Sequence, residues 1–289
     1  MKHAYLIMAH HQPELLKLLI ERLDDVNHAL YIHLDKKSKM NVDEVSGVAK
    51  NALVHFIEQK SIYWGGYSQI RCEIDLLEAA VKGEYDYYHL ITGVDLPLKS
   101  NEEIDAFFYE NKGMEFISFD KSANEKKNFA ARYDRYHFFV RYAGKNVVLQ
   151  KSCTMLNFLL ACVTIALNLC LGNRSKKYDD LMFMKGSAYF DITHALAEYI
   201  VAQKDRIRTV FRFTKCCDEV FVHTIAYNST FRQKISPLKT RFIDWRKHGY
   251  SPEVLTMEHY VSIRTSECLF ARKFSSVESK ELMENLFFK

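Results

Sequence analysis

The sequence predicts an α/β fold in which a mixed, mostly parallel sheet is flanked by helices. The 289 residues are 48% hydrophobic, which is enough to bury a sizeable core. Ten glycines and four prolines lie below the ordinary usage of about 7% and about 5%, and this favours long, uninterrupted elements. Short apolar runs alternate with amphipathic segments, the pattern of a parallel sheet covered by helices.

The first third of the chain supplies this alternation. Its opening apolar run is followed at once by polar residues, and Pro13 stands where a helix can begin, because the first helical position needs no N–H donor. The predicted elements are, in order, a strand over 4–9, a helix over 14–23, strands over 29–34 and 52–57, a helix over 69–81 and a strand over 85–91.

Polar residues gather where these strands end. In a parallel sheet, ligands bind beyond the carboxyl ends of the strands. The residues at those positions are His10, His11, Asp35, Trp64 and Asp95, so a ligand site is expected there. Ordinary structural roles compete with this interpretation, since an aspartate often caps a turn and a Trp-Gly-Gly run can serve a turn alone. The His10–His11 pair lacks a third metal ligand at a suitable spacing, and we predict no metal site.

Beyond residue 112 the alternation weakens. We predict a strand over 115–119, helices over about 191–203 and 220–227, and shorter extended runs at 241–245 and 269–274. No Pro/Gly/Ser-rich linker divides the chain, which favours a single domain over 1–289.

Charge and cysteine content narrow the class of protein. The formal net charge is +4, which is too small to predict nucleic-acid binding. Seven cysteines, an odd number, show no metal-like spacing, and the adjacent pair Cys216–Cys217 does not form an ordinary structural disulfide. We therefore expect free thiols in a reducing compartment, the cytoplasm.

One segment, 154–172, is apolar apart from Thr154, Asn157, Thr164 and Asn168, and no charged residue lies between Lys151 and Arg174. Its length just reaches the roughly 20 residues that cross a bilayer. Three interpretations stay open: a helix buried in the chain or covered by a partner, a helix lying in the plane of a membrane surface, and a true span.

Two groups in the second half can do chemistry. Glu219 follows Asp218 at a predicted helix start, where carboxylates are favoured by the helix dipole but where one could also act as a general base. Arg272 and Lys273 lie between two phenylalanines, either as surface cations that bury their stems or as cations that neutralise a pyrophosphate.

Taken together, these signals form an ordered set. The blocks are, in order, 4–10, 31–38, 64–68, 88–100, 185–187, 218–221 and 269–274. This set resembles the core-2/I-branching β-1,6-N-acetylglucosaminyltransferase family, which also includes peptide-O-xylosyltransferases. The resemblance extends from Ala4 to Phe274 and is closest to a short, bacterial-type member.

The resemblance implies one GT-A-like glycosyltransferase domain, with a nucleotide-binding half over 1–120 and an acceptor and catalytic half over 121–289 that contains the apolar segment 154–172. It implies an inverting, metal-independent transfer of a sugar, expected to be N-acetylglucosamine, from a UDP-sugar to a glycan acceptor. No cofactor, divalent metal or nucleic acid is expected.

The expected setting is bacterial surface polysaccharide synthesis. A lipid-linked acceptor would suit the apolar segment, and we expect a cytoplasmic protein associated with the inner face of the cell membrane. The alternative is a catalytically inactive, membrane-docked partner of another glycosyltransferase. Xylose is a competing donor sugar, because both sugars occur in the family.

Residue roles also follow from the resemblance. Glu219 matches the general base and Lys273 the cation that stabilises the leaving UDP, with Arg272 beside it. Asp95 matches the acidic residue of a loop near the donor. Arg246 and Arg264 are the other candidates for a second basic residue at the pyrophosphate.

His10, Asp35 and Trp64 fall at nucleotide-facing strand ends. Tyr189 stands near a family position that often holds tryptophan and is a candidate for acceptor binding. Cys217 replaces the usual proline before Asp218. Residues 122–141 match no acceptor motif of the animal members, so their substrate identity is not transferred.

Overall fold

A six-stranded mixed sheet forms the centre of the molecule. The structure is a computed structural model, and it describes residues 1–120, 127–140, 154–245 and 251–288. The strands are β1 (His3–Ala9), β2 (His28–Leu34), β3 (Leu53–Phe56), β4 (Tyr87–Thr92), β6 (Phe116–Phe119) and β7 (Gly186–Thr193), in the order β3-β2-β1-β4-β7-β6. The first four are parallel and β7 is antiparallel to both its neighbours, which confirms the predicted α/β class with a mostly parallel sheet.

Helices cover both faces of this sheet. The helices are α1 (Pro13–Arg22), α2 (Val42–Val45), α3 (Tyr67–Ala80), α4 (Asn101–Glu110), α5 (Lys127–Tyr133), α6 (Thr154–Leu171), α7 (His194–Ala202), α8 (Lys204–Phe211), α9 (Phe221–Tyr227), α10 (Tyr260–Arg264) and α11 (Lys280–Phe287). Helices α3, α7, α8 and α9 contribute to the apolar core on one face, and α1, α4 and α11 to the core on the other. Because both faces of β1 and β2 are buried, one in each core, these strands are nearly continuous apolar runs.

A small second sheet brings the carboxyl-terminal segment to the main one. Its strands are β5 (Leu96–Pro97), β8 (Arg241–Ile243) and β9 (Phe270–Arg272), in the order β5-β9-β8. Because β5 follows β4 closely and pairs antiparallel with β9, the end of β9 lies beside the loop that follows β4. This pairing places Arg272 near Asp95.

The predicted helix over 191–203 is wrong in its first residues. Strand β7 continues to Thr193, and α7 begins at His194 with the Thr193 side chain accepting from the Leu196 N–H. Asp191 is fully buried and pairs with Arg241, with 2.7 Å between Oδ1 and Nη2. This contact and the pairing of β7 with β4 and β6 fix Asp191 in extended backbone, which local sequence does not reveal.

The apolar segment forms α6, and most of its side chains that the structure describes are exposed. The exposed fractions of Leu159, Ile165 and Leu169 are 57%, 61% and 81%. The interpretation that this helix is buried within the chain is therefore wrong for the side chains that the structure describes. Among the described residues, no helix combines the length and apolar character that crossing a membrane requires.

Gly186 connects the sheet to the loop that carries Glu219. Its N–H donates to the Glu219 carbonyl at 3.0 Å, and a Cβ there would lie 1.7 Å from the Ser118 carbonyl oxygen. We predict that Gly186→Ala lowers the free energy of unfolding by about 3 kcal/mol through overpacking. Urea denaturation of this variant, with Ser187→Ala as control, measures the change; equal midpoints for the three proteins would contradict it.

Candidate active site

His10 and His11 follow β1 at the carboxyl edge of the sheet. Their rings stack with 4.1 Å between centroids, and both side chains are exposed. Desolvation and the charge of Arg272 lower the pKa of His10, against the opposing charge of Asp35. Desolvation, His10, Arg272 and Lys273 lower the pKa of His11. The lowered pKa values keep both imidazoles neutral near pH 7. Arg272 acts on both rings, and Lys273 acts on His11.

Asp35 follows β2 and organises the next loop. Its Oδ1 accepts from the Lys37 N–H at 2.9 Å and from the Ile62 N–H at 3.4 Å. The Lys37 ammonium lies 3.7 Å from Oδ2 and 4.6 Å from the centroid of the Tyr63 ring. Asp35 therefore positions the segment that leads to Trp64.

Trp64 is 51% exposed and precedes a turn that touches the loop of Glu219. Gly65 has a φ of 71°, and its carbonyl accepts from the Cys216 N–H at 2.8 Å. A Cβ at Gly65 would lie 2.9 Å from Cys216 Sγ. Gln69 accepts from the Gly65 N–H and donates to Asp218 Oδ2 at 3.3 Å. These contacts hold the Trp64 turn against the loop of the candidate base.

Glu219 lies between two cations. Arg132 Nη1 donates to Glu219 Oε2 at 2.6 Å, and Lys185 Nζ lies 3.4 Å from the same oxygen. Both contacts involve the same carboxylate oxygen, Oε2. The side chain is 31% exposed, which leaves it accessible from the edge of the sheet.

A second carboxylate lies next to this one. Burial and the neighbouring charge of Glu219 raise the pKa of Asp218 to about 6. Glu73, on α3, is also buried, and desolvation followed by the charge of Asp218 raises its pKa well above the usual value. The site therefore concentrates acidic groups in poorly solvated surroundings, as functional sites often do.

Asp95 and Arg272 form a buried ion pair. Asp95 is 1% exposed, accepts from the Thr92 N–H at 2.7 Å, and lies 2.7 Å from Arg272 Nη1. Arg272 also donates to the Thr92 hydroxyl. The predicted donor contact of Asp95 would thus act through Arg272, because the carboxylate itself is enclosed.

Tyr189 connects the two sides of the site. The Arg272 guanidinium lies 5.1 Å from the centroid of its ring. Desolvation raises the pKa of Tyr189, and the charges of Asp95 and Asp218 raise it further while Arg272 lowers it. Tyr189 lies on the same strand as Gly186, whose N–H donates to the Glu219 carbonyl, so β7 links the Arg272 side of the site to the Glu219 side.

Lys273 lies beside Arg272 at the same edge. Its Nζ donates to the Ser251 hydroxyl at 2.8 Å, and its charge lowers the pKa of His11. Ser276 donates its N–H to Gln12 Oε1 at 2.7 Å, which ties this segment to the loop after β1. Of the other basic candidates, Arg264 is exposed on α10 and Arg246 lies outside the described residues.

Three residues of this site were missed by sequence reasoning. Arg132 lies in the region without a recognisable motif, Lys185 was noted only as part of a block, and Gln69 was assigned only to an amphipathic helix. Their contacts with Glu219 and Asp218 join residues 34 to 149 positions apart. Such long-range contacts carry no local signal in one sequence.

A comparison with known protein families identifies the family of this chain. The family model described as "Branch: Core-2/I-Branching enzyme" matches residues 3–267. The chain belongs to the core-2/I-branching enzyme family. This membership confirms the resemblance inferred from the sequence blocks, and the sheet confirms the predicted fold class.

Curated relatives of this chain include xylosyltransferase 2 of Rattus norvegicus, 25% identical over 313 residues, which cover 99% of this chain and 33% of the relative. Xylosyltransferase 2 of Homo sapiens is also 25% identical, over 314 residues, again covering 99% of this chain and 33% of the relative. The chain thus spans about a third of the length of the curated relatives it matches.

Two solved structures overlap weakly with this chain. TarS of S. aureus, solved in complex with UDP-GlcNAc, has a TM-score of 0.29 at 17% identity and covers 42% of this chain and 35% of that one. Apo mouse xyloside xylosyltransferase 1 has a TM-score of 0.38 at 10% identity and covers 93% and 97%. Overlaps this weak do not locate a ligand in this chain.

The raised pKa of Asp218 predicts that the stability of the protein depends on pH. Its pKa of about 6 lies above the usual 3.8, so the folded state binds the proton more tightly than the unfolded state. Ionisation of Asp218 therefore lowers the free energy of unfolding. This loss is complete above pH 6 and disappears as the pH falls toward 4. We expect Asp218→Asn to raise Tm at pH 7.5 and to lose this advantage at pH 4.

Thermal unfolding across this pH range measures the effect, with exposed Asp179→Asn as the control variant. A Tm difference between Asp218→Asn and the natural chain that does not grow from pH 4 to pH 7.5 would contradict the assignment.

Proposed function

We propose that the protein is an inverting, metal-independent glycosyltransferase that moves a sugar from a UDP-sugar to a hydroxyl of a glycan acceptor. The observation that carries this proposal is the common placement of Glu219, Tyr189, Arg272 and Lys273 at the carboxyl edge of the sheet. Family membership supports the same reaction class.

Glu219 is the general base of the proposed reaction. As the acceptor oxygen bonds to the anomeric carbon, the bond from that carbon to the UDP oxygen breaks, and Glu219 takes the hydroxyl proton. A single displacement inverts the configuration. Arg132 and Lys185 hold Oε2 and fix the orientation of the carboxylate.

Arg272 and Lys273 supply the positive charge for the departing UDP. Negative charge develops on the pyrophosphate as the bond breaks, and preorganised cations stabilise it without further reorganisation. Asp95 and Thr92 hold the Arg272 guanidinium in place before the substrate binds. These fixed cations perform the role for which a metal-dependent enzyme would use a divalent ion.

The nucleotide would bind between the early strand ends. Neutral His10 and the Asp35-anchored loop line that edge, and the exposed Trp64 ring offers an apolar wall next to the base loop. Tyr189, whose ring lies 5.1 Å from the Arg272 guanidinium, is proposed to contact the acceptor.

The donor sugar is narrowed to two candidates. The family resemblance favours N-acetylglucosamine, and the names of the xylosyltransferase relatives favour xylose. We propose N-acetylglucosamine as the donor sugar, and a panel of UDP-sugars assayed with the purified chain distinguishes the two. Binding to the folded state raises Tm, so a thermal-shift screen gives the first ranking.

The acceptor is proposed to be lipid-linked, presented at the inner face of a bacterial cell membrane during surface polysaccharide synthesis. Exposed α6 would lie in the plane of that surface. The exposed cations Lys176 and Lys177 follow α6 in the sequence and favour anionic lipid, and the exposed carboxylates Asp179 and Asp180 come after them.

The attachment of α6 supports this orientation. Asn168 donates to the Tyr136 carbonyl at 3.0 Å and accepts from its N–H at 2.7 Å. Tyr136 lies four residues beyond Arg132, the partner of Glu219. A membrane contact at α6 would thus bring the base close to a lipid-linked sugar.

The alternative, an inactive protein docked to a membrane as a partner of another transferase, shares α6 but has no use for the base. Hydrolysis of UDP-sugars without acceptor distinguishes the two, since only the enzyme releases UDP. The retained Asp95–Arg272 pair and Glu219 favour the enzyme.

Glu219→Gln tests the base. We expect sugar transfer to fall by a factor of about 10² to 10⁴, the usual contribution of a positioned base, while the Kd for UDP stays unchanged. Exposed Glu267→Gln is the control variant. A glycosyltransferase assay in chelator gives the rates, and full activity of Glu219→Gln would remove this residue as the base.

Vesicle flotation tests the membrane contact. We expect the natural chain to float with vesicles that contain phosphatidylglycerol. The double variant Ile165→Glu, Leu169→Glu should remain in the bottom fraction, because membrane binding would transfer each carboxylate out of water. Leu53→Glu, at another exposed apolar residue, is the control. Equal flotation of the double variant, or none for the natural chain, would contradict a role for α6.

A further inference from the structure

We propose that His3, His28 and Asp105 bind a zinc-type divalent cation at the amino-terminal edge of the main sheet. His3 and His28 are the first residues of β1 and β2 and are paired in register. Both are buried, and Asp105 reaches them from α4. One potential ligand atom from each of the three side chains lies within 4.8 Å of the other two.

His28 is oriented with its Nε2 lone pair available. Its Nδ1 atom lies 2.9 Å from the Leu23 carbonyl oxygen. A carbonyl only accepts hydrogen bonds, so Nδ1 carries the proton and the neutral ring has its lone pair on Nε2. Metal-bound histidines characteristically donate their second N–H to a carbonyl or carboxylate in this way.

His3 is oriented by a chain of contacts through the core. Its Nδ1 lies 2.8 Å from His89 Nε2, and His89 Nδ1 lies 2.8 Å from Asp191 Oδ1. Arg241 contacts both Asp191 oxygens, at 2.7 and 2.8 Å, so Asp191 is an ionised acceptor. His89 therefore donates to Asp191 and accepts from His3, which places the lone pair of neutral His3 on Nε2.

This assignment leaves two acceptors facing each other. His3 Nε2 and Asp105 Oδ1 lie 2.8 Å apart, and among the described residues neither buried atom has a hydrogen-bond partner of acceptable geometry. The chain from Asp105 through His3 and His89 to Asp191 has three contacts, but two neutral imidazoles supply only two protons. One further positive charge is needed, either a proton or a cation.

A cation explains more of the arrangement than a proton does. A proton between His3 and Asp105 would engage only two of the three side chains, whereas a zinc-type ion takes all three as ligands. Two histidines and a carboxylate are a common protein ligand set for Zn²⁺, with water in the fourth position. Asp105 Oδ2 already pairs with the Met1 amino group at 2.9 Å, and the side chain is 33% exposed, so solvent reaches the site.

This inference does not rest on the proposed function. The site lies at the opposite end of β1 from His10, seven residues away, or about 23 Å at the rise of a strand. The ion would join β1, β2 and α4 and stabilise the fold, and it would take no part in sugar transfer.

Zinc content and thermal stability test the proposal on protein without a histidine tag. We expect one zinc ion per natural chain by elemental analysis, a lower Tm after chelation, and recovery of Tm with ZnCl₂ alone. Asp105→Asn, at a partly exposed ligand, and His28→Gln should lose the stoichiometric zinc. His10→Gln with His11→Gln, at the other histidine pair, should keep it.

Circular dichroism confirms that each variant is folded before its zinc is measured. A natural chain whose zinc stays at the buffer background and whose Tm does not respond to ZnCl₂ would overturn the proposal and assign the charge to a proton. Retention of stoichiometric zinc by folded Asp105→Asn would overturn it as well. Because these measurements use no sugar donor, they are independent of whether the chain proves to be a glycosyltransferase.

Discussion

The buried ion pair between Asp95 and Arg272 is the interaction on which the candidate site depends. It joins the loop after β4 to the end of β9, so it fixes the carboxyl-terminal segment against the main sheet. Separating a buried carboxylate from its cation strongly destabilises the folded protein. The pair therefore keeps β9 and the loop after β4 in one relative position. Lys273, Tyr189 and His10 lie near this pair.

A second set of contacts positions the acidic side. Gln69 links the Trp64 turn to Asp218, and Gly186 holds the backbone of Glu219 against β7. Neither contact involves substrate, but each one constrains where the Glu219 carboxylate can lie. The charge separation that the proposed reaction needs, with a base on one side and cations on the other, is thus present before any ligand binds.

The sequence predicted the parts of this structure that local patterns encode. Apolar runs and helical spacing located β1 to β4 with α1 and α3, and the rule for strand ends selected His10, Asp35 and Asp95. Local patterns do not predict long-range contacts. Two examples are the contact of Arg132 with Glu219 and the contact of Arg241 that holds Asp191 in a strand. The exposure of α6 also depends on what packs against it, which composition does not record.

Arg272 and Lys273 are proposed to hold the pyrophosphate of a nucleotide without metal. Calorimetric titration of UDP and uridine in chelator tests it most directly, on the natural chain and on Arg272→Met and Lys273→Met. We expect UDP to bind more tightly than uridine, and each variant to lose about tenfold or more for UDP alone, as charged hydrogen bonds are removed. Equal UDP affinity in all three proteins would contradict the account.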